Sequence, residues 1–343
     1  MNIKAIAQGS SEYNITVLVD QKDSERALRA VHARFYLSDT TIGVAIVGPG
    51  LIGATLIDQI KEQCEQLHRE FAIDIRVLAI ASSKKMVLSE KGINLSKWRE
   101  EFEGPKAEAC DLKKLGVHLR DSYIPNNAVI DCTASDVPAS NYLSWMQQGL
   151  HVITPNKKLG SGPLEQYQAV RKIQREGYIH FFYEGTVGAG LPVMGTVKQL
   201  LDTGDKVTRI EGILSGTLSY IFNTFGDGRK FSEIVGEAKA KGYTEPDPRD
   251  DLNGTDVARK VCILARESGL MVEMSDIPVE SLVPEPLRAV KGGDEYMSRL
   301  PEFDKDMEAK LREAEATGEV LRYVGVVDVV GKKGAVELRR YPK

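Results

Sequence analysis

The chain has little cysteine and no paired cysteine. Cys64, Cys110, Cys132 and Cys262 are scattered through 343 residues with no Cys-x-x-Cys among them. That excludes a disulfide framework and a zinc knuckle and fits a reducing compartment. The five histidines, His32, His68, His118, His151 and His180, show no metal-ligand spacing. Positive charge is not in excess: the net charge is −4. No basic footprint for nucleic acid or for an acidic membrane surface therefore exists. No apolar run is long enough to span a bilayer. The opening residues lack signal-peptide or transit-peptide character, so the chain as given carries no address. What is present is ordinary for a soluble globular protein, 42% hydrophobic and 27% charged, with length for two or three domains.

Residues 1–40 read as strand, turn, strand, helix. Ile3 to Ala7 and Ile15 to Val19 are the strands, and Ala27, Leu28, Val31 and Phe35 recur at helical spacing between Ser24 and Phe35. This piece is too small to bury a core alone. A second unit, 41–180, alternates short apolar strands with helices. Its strands are expected at Val44–Val47, Ile75–Ala81, Ala128–Thr133 and His151–Thr154, with helices from the first glycine-rich turn to about Arg69 and near Ala139–Gln148. That order predicts a Rossmann-type, doubly wound parallel sheet. From 181 to 343 the character is mixed α/β. A strand is expected over Val207–Leu214, and helices over Leu218–Thr224, Phe231–Lys241 and Gly254–Ser268. The segments Leu321–Val330 and Ala335–Arg340 form a hairpin around Gly331 to Gly334.

Gly48-x-Gly50-x-x-Gly53, with Leu51 and Ile52 inside it, follows a strand and opens a helix. Glycines there permit a tight turn, close approach of a pyrophosphate and close helix–strand packing, and the helix N-terminus favours the phosphates. The bland alternative is a structural turn. An NAD-specific fold places an acid at the end of the second strand. Here the residues are Ser82, Ser83, Lys84 and Lys85, which suit a 2′-phosphate and so favour NADPH, with NADH as the alternative. Lys157, in Thr154-Pro155-Asn156-Lys157-Lys158, follows a strand whose carboxyl end faces the ligand crevice of such a sheet. Glu184 to Pro192 is a glycine-rich turn. It reads as a domain crossover, or as carbonyls able to bind a monovalent cation. Ser215-Gly216-Thr217 is either a helix N-cap or a donor set for a carboxylate.

The richest stretch is Gly242 to Lys260. A loop carrying Tyr243, Glu245, Asp247, Asp250 and Asp251 runs into a helix where Asp256 and Lys260 are four apart. Residues at that spacing share a helix face. A lysine among tuning neighbours can act as general acid or base, and the acidic loop can hold a substrate amino group.

These pieces together resemble homoserine dehydrogenase from about Thr41 onward. Ala7-Gln8-Gly9-Ser10-Ser11-Glu12 resembles the end of the second regulatory ACT module of aspartokinase. The order resembles the plant-type bifunctional aspartokinase/homoserine dehydrogenase, without the kinase. The resemblance implies NAD(P)H-dependent reduction of aspartate 4-semialdehyde to homoserine by a plastid homodimer that binds neither nucleic acid nor membrane. It places Lys260 and Lys157 at the catalytic lysines, with Asp256 supporting. Gly216, Thr217, Tyr243, Glu245 and Asp251 fall at substrate positions. Gly50, Leu51, Ile52, Thr133 and Lys157 match cofactor contacts. Glu184, Val187, Ala189 and Leu191 match a sodium loop, three of them through backbone carbonyls.

The family continues past the position of Lys343 with further strands, a second glycine-rich loop and a returning helix. A chain lacking them is expected to be poorly soluble or weakly active, which sets a non-catalytic partner of a full-length enzyme beside the enzyme reading. A reductase working through an acyl-thioester would need a nucleophilic cysteine, and Cys132 has no histidine nearby in sequence.

Overall fold

The computed structural model describes residues 3–8, 14–25, 27–28, 30–31 and 40–343. The chain divides into two compact units, one of Met1–Leu159 with Glu165–Tyr183, the other of Gly160–Leu164 with Glu184–Lys343.

In the first unit, β1 (Ile3–Gln8) and β2 (Ile15–Val19) pair antiparallel. Residues 24–25, 27–28 and 30–31 are helical. The rest of the helix expected over Ser24–Phe35, and residues Gly9 to Glu12 of the ACT-like mark, lie outside the described residues.

The main sheet has seven strands in the order β6-β5-β4-β3-β7-β8-β9. They are β3 (Thr40–Val47), β4 (Ile73–Ala81), β5 (Lys85–Leu88), β6 (Glu108–Ala109), β7 (Asn126–Asp131), β8 (His151–Ile153) and β9 (Phe181–Phe182). The five strands β4-β3-β7-β8-β9 are parallel. β3 lies between β4 and β7, and its Val44–Val47 run is buried. A strand covered on both faces has to be continuously apolar, which is why the residues do not alternate. The helix Leu51–Phe71 lays Ile57 and Ile60 onto this sheet, with Val77, Ile80, Val87, Trp98 and Phe102 around them. Burying a side chain such as Ile57 contributes about 1.5–3 kcal/mol.

Sequence patterning misses the antiparallel edge, where β5 pairs with β4 and β6 with β5. The Ser82 hydroxyl closes a tight turn there by accepting from the backbone N–H groups of Lys84 and Lys85. The chain thus reverses after β4 through Ser82, Ser83 and Lys84 instead of crossing over.

In the second unit, β10 (Arg209–Gly212), β11 (Glu319–Asp328) and β12 (Lys333–Pro342) form an antiparallel sheet. β11 and β12 make the expected hairpin; β11 starts two residues earlier and ends two residues earlier than its apolar pattern, and β12 extends two residues beyond its pattern at each end. The helix Thr255–Glu267 packs against them through Val257 and Val261. Gly325 and Gly334 allow this approach, since a Cβ on either would sit within 3 Å of Val261. Gly254 starts the helix at φ +77, and a Cβ there would meet the Tyr323 hydroxyl at 2.1 Å. The register of this helix, and with it the place of Lys260, is therefore set by backbone contact. Helices for which the sequence pattern gave no expectation, Val193–Asp202, Gly292–Arg299 and Asp304–Ala316 among them, also belong to the unit.

Candidate active site

The chain steps to one side of β3 for β4 and to the other for β7. The carboxyl ends of β3 and β7 thus form the switch point at which open α/β sheets take ligands. Gly48 leaves β3 at φ +89, and a Cβ on it would lie 2.5 Å from Thr133 Cγ2. Gly53 packs its Cα on the Gly48 carbonyl, where a Cβ would lie 2.2 Å from the oxygen. Gly50 differs from both: nothing lies within 4 Å of a Cβ there, and no side chain caps the helix that begins at Leu51. No acid stands in its first turn. The first N–H groups of a helix have no intrahelical acceptor, so this turn offers donors and the positive end of a 21-residue dipole to an anion. Leu51 and Ile52 are exposed beside it. The residues thus fit a dinucleotide pyrophosphate.

Of the four residues expected at a 2′-phosphate, Ser83 and Lys84 are exposed. Ser82 closes the β4–β5 turn. Lys85 is ion-paired with Glu103 and lies 4.9 Å from the centre of the Phe102 ring.

Sequence reasoning missed the carboxylate beneath this crevice. Asp131, the last residue of β7, is 0% exposed. Its Oδ1 accepts from the Thr133 N–H at 2.8 Å. Its Oδ2 accepts from the Asn156 side chain at 2.9 Å and from the Tyr142 hydroxyl. The Thr154 hydroxyl donates to the Asp131 carbonyl at 2.8 Å. Burial and the Asp131 charge push the Tyr142 phenol far up. The neighbouring Cys132 thiol is pushed up to about 11 by the same two causes, which makes it inert as a nucleophile at neutral pH. An acid ending a buried strand is the sequence signal that was there to be read, since a buried charge must be hydrogen-bonded. Lys157, half-buried, stands next to Asn156.

In the second unit, Lys260 reaches from its helix to the Leu214 carbonyl at 2.6 Å and to Asp256 Oδ2 at 2.8 Å. The acidic loop is latched on itself: the Glu245 N–H donates to Asp251 Oδ2 at 2.8 Å. Burial raises the Asp251 carboxyl, partly offset by that N–H. The Glu245 residue is exposed. The Thr217 hydroxyl donates to the Tyr243 carbonyl at 2.6 Å, which ties the start of helix Gly216–Thr224 to the loop. Ser215 is an N-cap, accepting from the Leu218 N–H. Gly216 is exposed at the same helix start. The Tyr243 ring meets Tyr220 edge-on at 5.0 Å.

Two supports of this loop were not foreseen. Arg249 grips Asp247, holding its carboxyl below the usual range, and donates to the Val290 carbonyl at 2.8 Å. Glu237 takes Lys241 and the Tyr220 hydroxyl, each at 2.6 Å, and Arg229, which together hold it down at about 2.

The Glu184 carboxylate accepts from the N–H groups of Met194 at 2.9 Å and Gly195 at 2.8 Å, capping the helix Val193–Asp202. Val187 is buried, and Ala189 and Leu191 are exposed. The Leu191 carbonyl accepts from Val193 at 2.9 Å. All four positions offer oxygen, the donor type a hard cation takes. Among the described residues no three His, Cys, Asp or Glu side chains cluster as a metal site, and no helix is long and apolar enough to cross a membrane.

The chain matches three family models: an ACT domain over residues 1–35, the NAD binding domain of homoserine dehydrogenase over 48–184, and homoserine dehydrogenase over 192–343. It is 59% identical over its whole length to the chloroplastic bifunctional aspartokinase/homoserine dehydrogenase 1 of Arabidopsis thaliana, of which it covers 38%. The chain therefore spans less than two fifths of the length of that relative. Against the homoserine dehydrogenase of Schizosaccharomyces pombe it is 43% identical, over 89% of this chain and 82% of the relative. A solved structure of a Candida auris protein of unknown function superposes with a TM-score of 0.81 at 38% identity, covering 88% of this chain and 84% of the other. A hyperthermophilic archaeal homoserine dehydrogenase solved with NADPH shares the fold at a TM-score of 0.64 and 20% identity, over 88% and 83% of the two chains. With the dinucleotide turn, the acidic loop and the Asp256–Lys260 pair in place, this chain belongs to the homoserine dehydrogenase family.

Proposed function

We propose that the protein reduces L-aspartate 4-semialdehyde to L-homoserine with NADPH, in the branch that leads to threonine, methionine and isoleucine. The first unit would hold the dinucleotide at Gly48, Gly50, Leu51, Ile52, Gly53 and Thr133, with Lys84 facing the 2′-phosphate. Lys85 joins it there only by leaving Glu103. NADPH supplies the hydride when bound. The second unit would hold the amino acid, its ammonium at Glu245 and Asp251 and its carboxylate at Gly216 and Thr217, with Tyr243 alongside. As the aldehyde carbon becomes an alcohol carbon, its oxygen needs one proton. Lys260 would deliver that proton, with Asp256 holding the ammonium in place and Lys157 as the second lysine. A monovalent cation, sodium in this reading, would sit on Glu184 and the carbonyls of Val187, Ala189 and Leu191. β10 is an edge of the second unit's sheet, whereas β12 is bridged at Val336 by the segment around Val279. An edge is a template for further pairing, which agrees with a homodimer. The chloroplastic names of the plant relatives agree with a plastid location.

The single observation that carries this reading is the Lys260 ammonium. It is held at two points, Asp256 and the Leu214 carbonyl, in a unit that also carries a latched acidic loop. The test is loss of NADPH absorbance on adding aspartate 4-semialdehyde. Lys260→Ala, made in a chain extended by the family's further C-terminal segment, should cut turnover by roughly 10²–10⁴-fold, the usual contribution of general acid catalysis. Undiminished turnover by that variant would overturn the reading.

A further inference from the structure

We propose that Asp131 is a positioning residue of the nucleotide site, its buried carboxylate binding the loop after β7 and the loop after β8 into one rigid rim of the crevice. The proposal rests on the reading that a nicotinamide dinucleotide binds at this end of the sheet.

Three donors converge on this carboxylate from three segments: the Thr133 N–H, the Asn156 side chain and the Tyr142 hydroxyl of helix Tyr142–Gln147. None is a cation, so the negative charge is stabilised wholly by oriented dipoles. Buried charges without a partner cation are rare because dehydration costs so much. Such a group is kept only where its hydrogen bonds do something a neutral side chain would not. Asparagine in its place could accept from only one side and would turn an N–H toward the donors of Asn156 or Tyr142.

The consequences reach the crevice through Asn156. Its side-chain N–H groups also reach the Ser135 carbonyl at 2.8 Å, its Oδ1 accepts from the Lys158 N–H at 3.0 Å, and its own N–H donates to Thr154 Oγ1 at 2.8 Å. Lys158 in turn pairs with Asp136, the first residue of the short helix Asp136–Ala139 that follows this loop, at 2.9 Å. Lys157 therefore sits between two residues that are each tied to the segment after β7. On the other side, Thr133 is held by Asp131 while its methyl group packs where a Gly48 side chain would be. One carboxylate thus sets the position of the residue against the dinucleotide turn and of the residue beside Lys157.

The experiment is NADPH and NADH titration of Asp131→Asn and Tyr142→Phe, read by nucleotide fluorescence, with hydrogen exchange read peptide by peptide. Asp131→Asn should raise the Kd of both nucleotides by about tenfold or more, the loss of a charge-assisted hydrogen bond, and by the same factor, since the rim lies away from the 2′-phosphate turn. Exchange should quicken in peptides covering 132–136 and 154–159 and stay unchanged in β3 and β4. Tyr142→Phe should give a smaller loss with the same local pattern. A parental Kd in Asp131→Asn overturns the proposal, and so does exchange that quickens uniformly across the sheet, the mark of a merely structural role. If Asp131→Asn fails to fold, Tyr142→Phe decides by the same two readouts. If the parent chain binds neither nucleotide, the cofactor reading fails, and local against uniform exchange still decides whether Asp131 fixes the rim.

Discussion

Two glycine-rich turns lead into helices in this chain, and they end in opposite electrostatics. The turn at Gly48–Gly53 leaves the N-terminus of helix Leu51–Phe71 without a side-chain cap and without an acid in the first turn. The turn at Glu184–Pro192 closes the N-terminus of helix Val193–Asp202 with its own carboxylate, bound to two N–H groups. From sequence the first reads as a dinucleotide turn or a structural turn, and the second as a domain crossover or as carbonyls able to bind a monovalent cation. Only the first is left open to a phosphate, because a helix dipole can be satisfied once. The second has already met its dipole with Glu184, and what it still offers is oxygen. Glycine supplies the shape of such a turn, and the nearest carboxylate decides the sign of what it binds.

The strongest way to break this contrast is to give the first turn the feature of the second. Gly50→Asp introduces an acid at the N-cap, a position where Asp is favoured, in a backbone with open space for its side chain. The melting temperature should hold or rise. Nucleotide binding should fall by about 100-fold or more, since like charges about 4 Å apart near a protein surface repel by about 4 kcal/mol. Fluorescence titration of NADPH beside a thermal melt checks both. Unchanged affinity would mean that the pyrophosphate does not use this turn. The next largest effect is steric. Gly53→Ala forces a Cβ onto the Gly48 carbonyl, and overpacking of that kind costs about 1–3 kcal/mol. Both the urea midpoint and nucleotide affinity should drop. A neutral result would show that the helix can lift off the turn freely.

The same contrast marks what a reader of the sequence can and cannot see. The dinucleotide turn, the β3 strand and the Asp256–Lys260 pair are legible because each is written in consecutive or helically spaced residues. The β4–β5 reversal is not, because Ser82, Ser83 and Lys84 carry no glycine and the turn is made by a serine hydroxyl. The Asp131 network is hidden for another reason. Its donors, Thr133, Tyr142 and Asn156, come from three elements, and nothing in their spacing announces that they meet. Arg249 is intermediate. Its pairing with Asp247 is local, but its bond to the Val290 carbonyl depends on a loop 41 residues away. Local chemistry is visible in a sequence, and convergence is not.

Glu184 gives a smaller test from the other side. Glu184→Gln should weaken the cap on helix Val193–Asp202. Removing a capping acceptor costs about 1 kcal/mol, and the retained amide oxygen keeps part of that. A fall of a few degrees in melting temperature is expected. If sodium sits on this turn, any dependence of activity on sodium against a large organic cation should fade as well. A variant that melts lower but keeps its sodium response would assign Glu184 to capping alone.

The smallest expected effect concerns which nucleotide the open turn prefers. Lys84 is exposed and Lys85 is held by Glu103, so in the proposed function discrimination between NADPH and NADH would rest mostly on one solvated lysine. Exposed ion pairs contribute about 0.2–1 kcal/mol, so Lys84→Glu should lower the NADPH-to-NADH affinity ratio by roughly fivefold. The effect should shrink as salt is raised, because exposed charges are screened over about 8–10 Å at ordinary ionic strength. Glu103→Gln acts in the opposite direction. It frees Lys85 from its partner and should raise the same ratio by a similar factor. If Lys84→Glu weakens both nucleotides equally, the turn after β4 does not read the 2′-phosphate. A raised ratio in Glu103→Gln alone would move the reading from Lys84 to Lys85.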